Sequence, residues 1–177
     1  MYFYDGSSVI NDYINLKIQN DNYNKGEQLR LDYKYSDAIP YFEKVLSELQ
    51  NVYPEDDLII AQTRMNLGVS YLVVDNLADA HEQFGNAYVA YKKTLGDDND
   101  NTNEARMYWA ITNELESDYE AAIRDATDAF ERMKYFGIKA EASYYLCEFF
   151  NLKGDNKSAL EWNDRFLDIS VPLLTLG

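Results

Sequence analysis

The sequence predicts an all-α fold in which helical pairs repeat about four times and stack along one direction. Three observations lead there. First, small residues fall at Gly26, Gly68, Ala110 and Cys147, and a second set falls at Ala38, Ala80, Ala122 and Ala159. Both sets advance in steps of 42, 42 and 37 residues, and two independent markers holding one step define a repeat. Second, three Pro and eight Gly in 177 residues leave long uninterrupted stretches for helices. Third, a hydrophobic content of 46%, with sixteen Tyr and eight Phe, supplies bulky side chains to wedge between helices and excludes global disorder.

The clearest copy runs from Asn66 to Tyr88. Leu67-Gly68 and Tyr71 precede a short break at Asp75-Asn76, and Ala80, Phe84 and Ala87 follow. Small residues let two helices approach closely, and large ones fill the gaps. The stretch YSDAIPYFEKVL sets Ala38 and Phe42 where that copy has Ala80 and Phe84. This pattern resembles the tetratricopeptide repeat (TPR), a helix–turn–helix unit. The resemblance implies a right-handed α-solenoid spanning about Asn20 to Asp168, most of the chain. The usual unit is roughly 34 residues; the longer step implies longer helices, similar to kinesin light chains and to the peptide-sensing regulators of Gram-positive bacteria.

Residues 1–19 are expected to form an N-terminal helix. Ser7 or Ser8 would cap it, and Val9, Ile10, Tyr13, Ile14 and Ile18 recur at helical spacing. The remnant of a longer upstream region is the alternative. The first repeat, 20–52, has its turn near Lys34-Tyr35, with Ser36 as the cap and Pro40 early in the second helix, where a missing N–H costs little. Residues 51–57 form an acidic loop leading into the second repeat, 58–95, where an acid at the helix start suits the helix dipole. The third repeat, 104–136, has drifted: Asn113 replaces the Tyr and Ala126 the Phe, and Trp109 is expected to take up lost volume. The fourth, 139–168, keeps Leu146-Cys147 and Phe150 but has Asn163 in the large apolar slot. Pro172 is expected to stop the last helix. The tail, 169–177, is apolar where a solenoid end calls for a polar cap. Folding back, joining a partner or second copy, and continuing into a longer solenoid are its three readings.

Charge and motifs exclude several functions. A net charge of −15 disfavours nucleic acid and anionic membranes, because phosphates need a basic footprint. It accommodates a basic partner, and equally an acidic surface that only keeps a cytoplasmic protein soluble. The start MYFYDGSS lacks a signal peptide's basic and apolar regions, and no stretch approaches the roughly 18 apolar residues of a membrane span. Asn156-Lys157-Ser158 matches a glycosylation acceptor, which without a signal peptide carries no weight. One cysteine excludes an internal disulfide and a Cys-based zinc site; Cys147 is expected to be a buried structural thiol. The run GDDNDNTN, 96–103, lacks the Gly and bidentate Glu of a calcium loop and reads as a solvated connection. His81 has no companion nucleophile or metal motif. Phosphate-loop, dinucleotide, HExxH and GxSxG signatures are missing. The chain is therefore expected to be no enzyme, with neither cofactor nor metal.

Binding remains. In solenoids of this resemblance, first helices line a groove that holds extended peptides or helices. Repeat offsets project Asn20, Tyr23, Glu27 and Arg30 into it from the first repeat, and Gln62, Met65, Asn66, Val69 and Leu72 from the second. Glu104, Met107, Ile111 and Glu114 follow from the third, and Glu141, Tyr144, Glu148 and Asn151 from the fourth. The centre is apolar and Met-containing, and the flanks carry five Glu against one Arg. Co-chaperones of this family grip acidic tails with a clamp of Lys, Asn and Arg. Here Asn66 matches the middle Asn, but Tyr23, Glu27, Glu104 and Tyr108 hold the other slots, so an acidic tail would be repelled. The resulting expectation is a protein–protein interaction module for a basic or amphipathic segment. The alternatives are a peptide sensor, in which Asn66 and Asn113 would hold a peptide backbone, and self-association through the tail.

Overall fold

The computed structural model describes the backbone of residues 20–112 and 119–175, with side chains through residue 171. The expected N-terminal helix lies outside the described residues, as do Asn113, Glu114 and the last two residues. Eight helices are described: α1 (Asp21–Leu31), α2 (Tyr35–Gln50), α3 (Leu58–Val73), α4 (Leu77–Leu95), α5 (Asp100–Thr112), α6 (Tyr119–Arg132), α7 (Phe136–Lys153) and α8 (Asn156–Thr175). No strand occurs among the described residues. Packing divides the chain into two compact units, Met1–Gly96 and Asp97–Gly177.

In each unit the helices pack on their chain neighbours: α1 on α2, α2 on α3 and α3 on α4 in the first, and α5 on α6, α6 on α7 and α7 on α8 in the second. The markers explain how a pair closes. A β-carbon on Gly68 would lie 2.7 Å from Phe84 Cε1, and one on Gly26 would lie 3.0 Å from Phe42 Cε1. Both rings are fully buried. The first helix must therefore offer a bare backbone where the second inserts a phenyl ring. In the second unit Ala126 stands in the ring's slot and Ala110, not Gly, faces it; both are fully buried. Next along, Asn163 is exposed and Cys147 is half-buried. This corrects the expectation of a buried thiol, since the side chain that would cover Cys147 is short, polar and turned outward.

The turns inside the pairs share one backbone device. Tyr33, Asp75 and Gly154 have φ of 60°, 63° and 82°. The next residue's N–H reaches back to the first helix in each case: Lys34 to Leu29 (2.8 Å), Asn76 to Tyr71 (2.9 Å) and Asp155 to Phe150 (2.9 Å). These are Schellman closures, which satisfy the orphan carbonyls of a helix end. The same Lys34, Asn76 and Asp155 then open the second helix, accepting from the N–H of Ala38, Ala80 and Ala159. Ser36 is consequently not the cap of α2. The helix starts at Tyr35 behind Lys34, which makes no side-chain cap bond. Pro40 is thus the sixth residue of α2, past the first turn, and the carbonyl it cannot serve belongs to exposed Ser36.

Two further expectations change. Residues 96–103 are not a solvated loop throughout. Helix α5 begins at Asp100, and Asp100, Thr102 and Asn103 are buried. The Asp100 carboxylate accepts from the N–H of Lys134 (2.7 Å) and Tyr135 (3.1 Å), so it seals the connection between α6 and α7. Pro172 does not stop the last helix, which runs to Thr175. A proline deletes one donor but leaves the amides after it able to continue the helix. At the start of α3, Asp57 does cap as its position suggests, accepting from Ile59 N–H at 3.0 Å.

Candidate functional site

The first helices of each unit, α1 with α3 and α5 with α7, carry the residues projected to contact a partner. In the first unit these residues bind one another. Arg30 grips both oxygens of Glu27, three residues away on α1 (2.6 and 3.1 Å). Asn66 on α3 donates to Glu27 Oε2 and to the Tyr23 hydroxyl, both at 3.0 Å. Gln62 donates to Asn66 Oδ1 (3.4 Å) and accepts from Tyr91 (3.2 Å). Burial, with the Glu27 charge second, pushes the Tyr23 phenol up to about 12. Both amide hydrogens of Asn66 are thus spent inside the unit, which leaves none to hold a peptide backbone.

The face of the second unit differs. Repeat offsets carry Asn66 to Tyr108 and Tyr145, so phenols replace the amide. The Tyr108 hydroxyl donates to Glu141 Oε1 across α5 and α7 at 2.8 Å. Burial, then the charges of Glu141 and Glu104, raise the Tyr108 phenol far above its ordinary value. Burial and Glu141 raise Tyr145 in the same direction. The Tyr144 ring is 48% exposed and meets Tyr145 edge-on at 5.4 Å. Glu104 and Glu141 are half-buried and Glu148 is exposed. Among the described residues neither Glu141 nor Glu148 pairs with a cation.

The projected set therefore separates. Tyr23, Met65, Asn66, Met107 and Ile111 are buried, so the two methionines support the face and do not open onto it. Val69 and Leu72 are half-buried. Of five expected acids, Glu27 is neutralised by Arg30, and Glu114 lies outside the described residues. The acids left without a cation among the described residues are Glu141 and Glu148, both on the second unit. Tyr145 and Tyr91 were missed as part of these faces, although the steps of 42 and 37 from Asn66 lead to Tyr108 and Tyr145. His81 is half-buried on α4, and no group of His, Cys, Asp and Glu suited to a metal occurs among the described residues. No helix among them is long and apolar enough to cross a membrane.

Solved structures with this arrangement of helices exist. BtubC (BKLC) from P. vanneervenii matches with a TM-score of 0.75 at 11% identity, over 94% of this chain and 72% of that one. The nearly identical TPR-like repeats of a candidate kinesin light chain from Podosopora anserina match at 0.70 and 11%, over 85% and 74%. The fold is the tetratricopeptide-repeat solenoid. MamA matches the same TPR arrangement at 0.57 with 22% identity, over 81% and 73%. The sequence matches no protein-family model and no curated protein. At such identities the likeness concerns the TPR fold alone, and the side chains on its faces are this chain's own.

Proposed function

We propose that the chain is a TPR interaction module that takes a basic or amphipathic segment of another protein on the first-helix face of its second unit. One observation carries the reading: among the described residues Glu141 and Glu148 have no cation of their own, and they flank the half-exposed Tyr144 ring. A Lys or Arg laid across this face would meet carboxylates at its head and an aromatic ring along its stem. The first unit's face is spent internally by Glu27, Arg30 and Asn66, which favours a site on the second unit over one spread along all four repeats. The chain's excess of acid would speed the approach of a basic partner.

Tyr144 and Glu148 are exposed, so both can be changed with little effect on folding. A labelled peptide of alternating Lys and Leu residues is the probe. Tyr144→Ala combined with Glu148→Lys should weaken its binding by about tenfold or more at low salt, with unchanged helicity. Unaltered affinity in the double variant would remove the site.

A further inference from the structure

Helix α8 presents an apolar stripe on the side away from α7. Leu160, Leu167 and Val171 lie within about 20° of one line on the helix surface, given about 100° per residue. They are 66%, 46% and 52% exposed. Ala159 and Trp162, which face the core, point elsewhere and are buried.

Earlier second helices treat the same positions differently. The slot of Leu167 is buried at Leu46 and at Phe130 and half-buried at Tyr88. At Phe130 the following repeat covers it: the Trp162 ring lies edge-on with centroids 5.0 Å apart, and the Lys139 ammonium sits 4.7 Å from the ring centre. The slot of Leu160 holds Ile39, His81 and Ile123, each half-buried. The slot of Val171 holds Gln50, Lys92 and Lys134, all exposed and polar. So α8 leaves open what other repeats cover wholly or in part, and extends it with an apolar residue where they have polar ones.

Charge limits what can cover the stripe. Asp164 and Asp168 border it, and among the described residues neither makes an ion pair. The nearby cations are engaged: Lys157 faces Glu161 at 3.8 Å, and Arg165 lies 4.4 Å over the Trp162 ring. If two copies met antiparallel through this stripe, their Asp164 and Asp168 side chains would share one flank of the contact. Each copy also carries a net charge of −15. We propose that the outer face of α8 is a second docking surface, and that its occupant is a partner's amphipathic helix with an apolar stripe flanked by Lys or Arg. In the equivalent covered slot a cation and an aromatic ring already perform this role, supplied by Lys139 and Trp162.

The test uses the full chain and two dye-labelled synthetic helices with one Leu stripe each, flanked by Lys in one and by Glu in the other. The Lys-flanked helix should saturate at an affinity at least about tenfold tighter than the Glu-flanked one. Leu160→Gln with Leu167→Gln should weaken it by a similar factor at unchanged helicity. Asp164→Lys with Asp168→Lys should reverse the preference. Failure to saturate, equal binding of the two helices, or binding that survives the Leu variant would overturn the proposal. So would a chain that sediments as a dimer and becomes monomeric in the Leu variant, since the occupant would then be a second copy.

Discussion

Gly68 has no space for a side chain, and the strength of that constraint follows from what it faces. Replacing a helical Gly by Ala ordinarily stabilises by about 1 kcal/mol. Here the new carbon would sit 2.7 Å from Phe84, whose ring is fully buried and cannot swing away. Overpacking of this kind costs about 1–3 kcal/mol and outweighs the propensity gain. Gly68→Ala should therefore lower stability by about 1–2 kcal/mol in urea unfolding. Gly26→Ala, with 3.0–3.2 Å contacts to Phe42, should fall closer to neutral. The Ala110–Ala126 pair supplies the control: in a Phe84→Ala background, Gly68→Ala should no longer destabilise. A penalty that persists there would mean the ring is not its cause.

Among the elements, the periodic markers were legible because each sits at a point of close helix approach that tolerates few residue types. The helix starts were less so. Lys34 opens α2 through its backbone carbonyl alone, which leaves no trace in side-chain type, and the sequence suggested Ser36 instead. Asp100 caps residues more than thirty positions away, so its role is invisible to local pattern. The left-handed turn residue is Gly at 154 but Tyr at 33, where the backbone conformation costs a branched or bulky residue about 1–2 kcal/mol. Tyr33 is 82% exposed and contributes only an edge contact to Tyr35. Tyr33→Gly should thus raise stability by about 0.5–1 kcal/mol after the entropy lost in the unfolded chain, or roughly 1–4 °C in melting temperature. A lower melting temperature would show that the ring's contacts outweigh the strain. The candidate site was half legible for a related reason. Repeat offsets give which face a residue is on, but the pairing of Glu27 with Arg30 and Asn66, which removes one acid from that face, depends on side-chain reach between helices.

At the scale of the whole molecule, tyrosines packed beside carboxylates tie stability to alkaline pH. Tyr23 and Tyr71 in the first unit and Tyr108 and Tyr145 in the second all have raised phenol pKa values, with burial the largest cause in each. Each donates to, or sits beside, a glutamate: Tyr71 to Glu43, Tyr108 to Glu141, Tyr23 near Glu27 and Tyr145 near Glu141. In the unfolded chain a phenol ionises near pH 10. Above that pH the unfolded state has lost protons that the folded state keeps, so stability is complete below about pH 10 and declines as pH rises. For Tyr23 the decline is complete as pH passes about 12. The folded chain should therefore show delayed tyrosinate absorbance, and its melting temperature should drop steeply between about pH 10 and 12. Tyr108→Phe should flatten the drop, because the phenol that resists ionisation is gone. A melting temperature that is level across this range would mean these hydroxyls are not held against their glutamates in the folded chain.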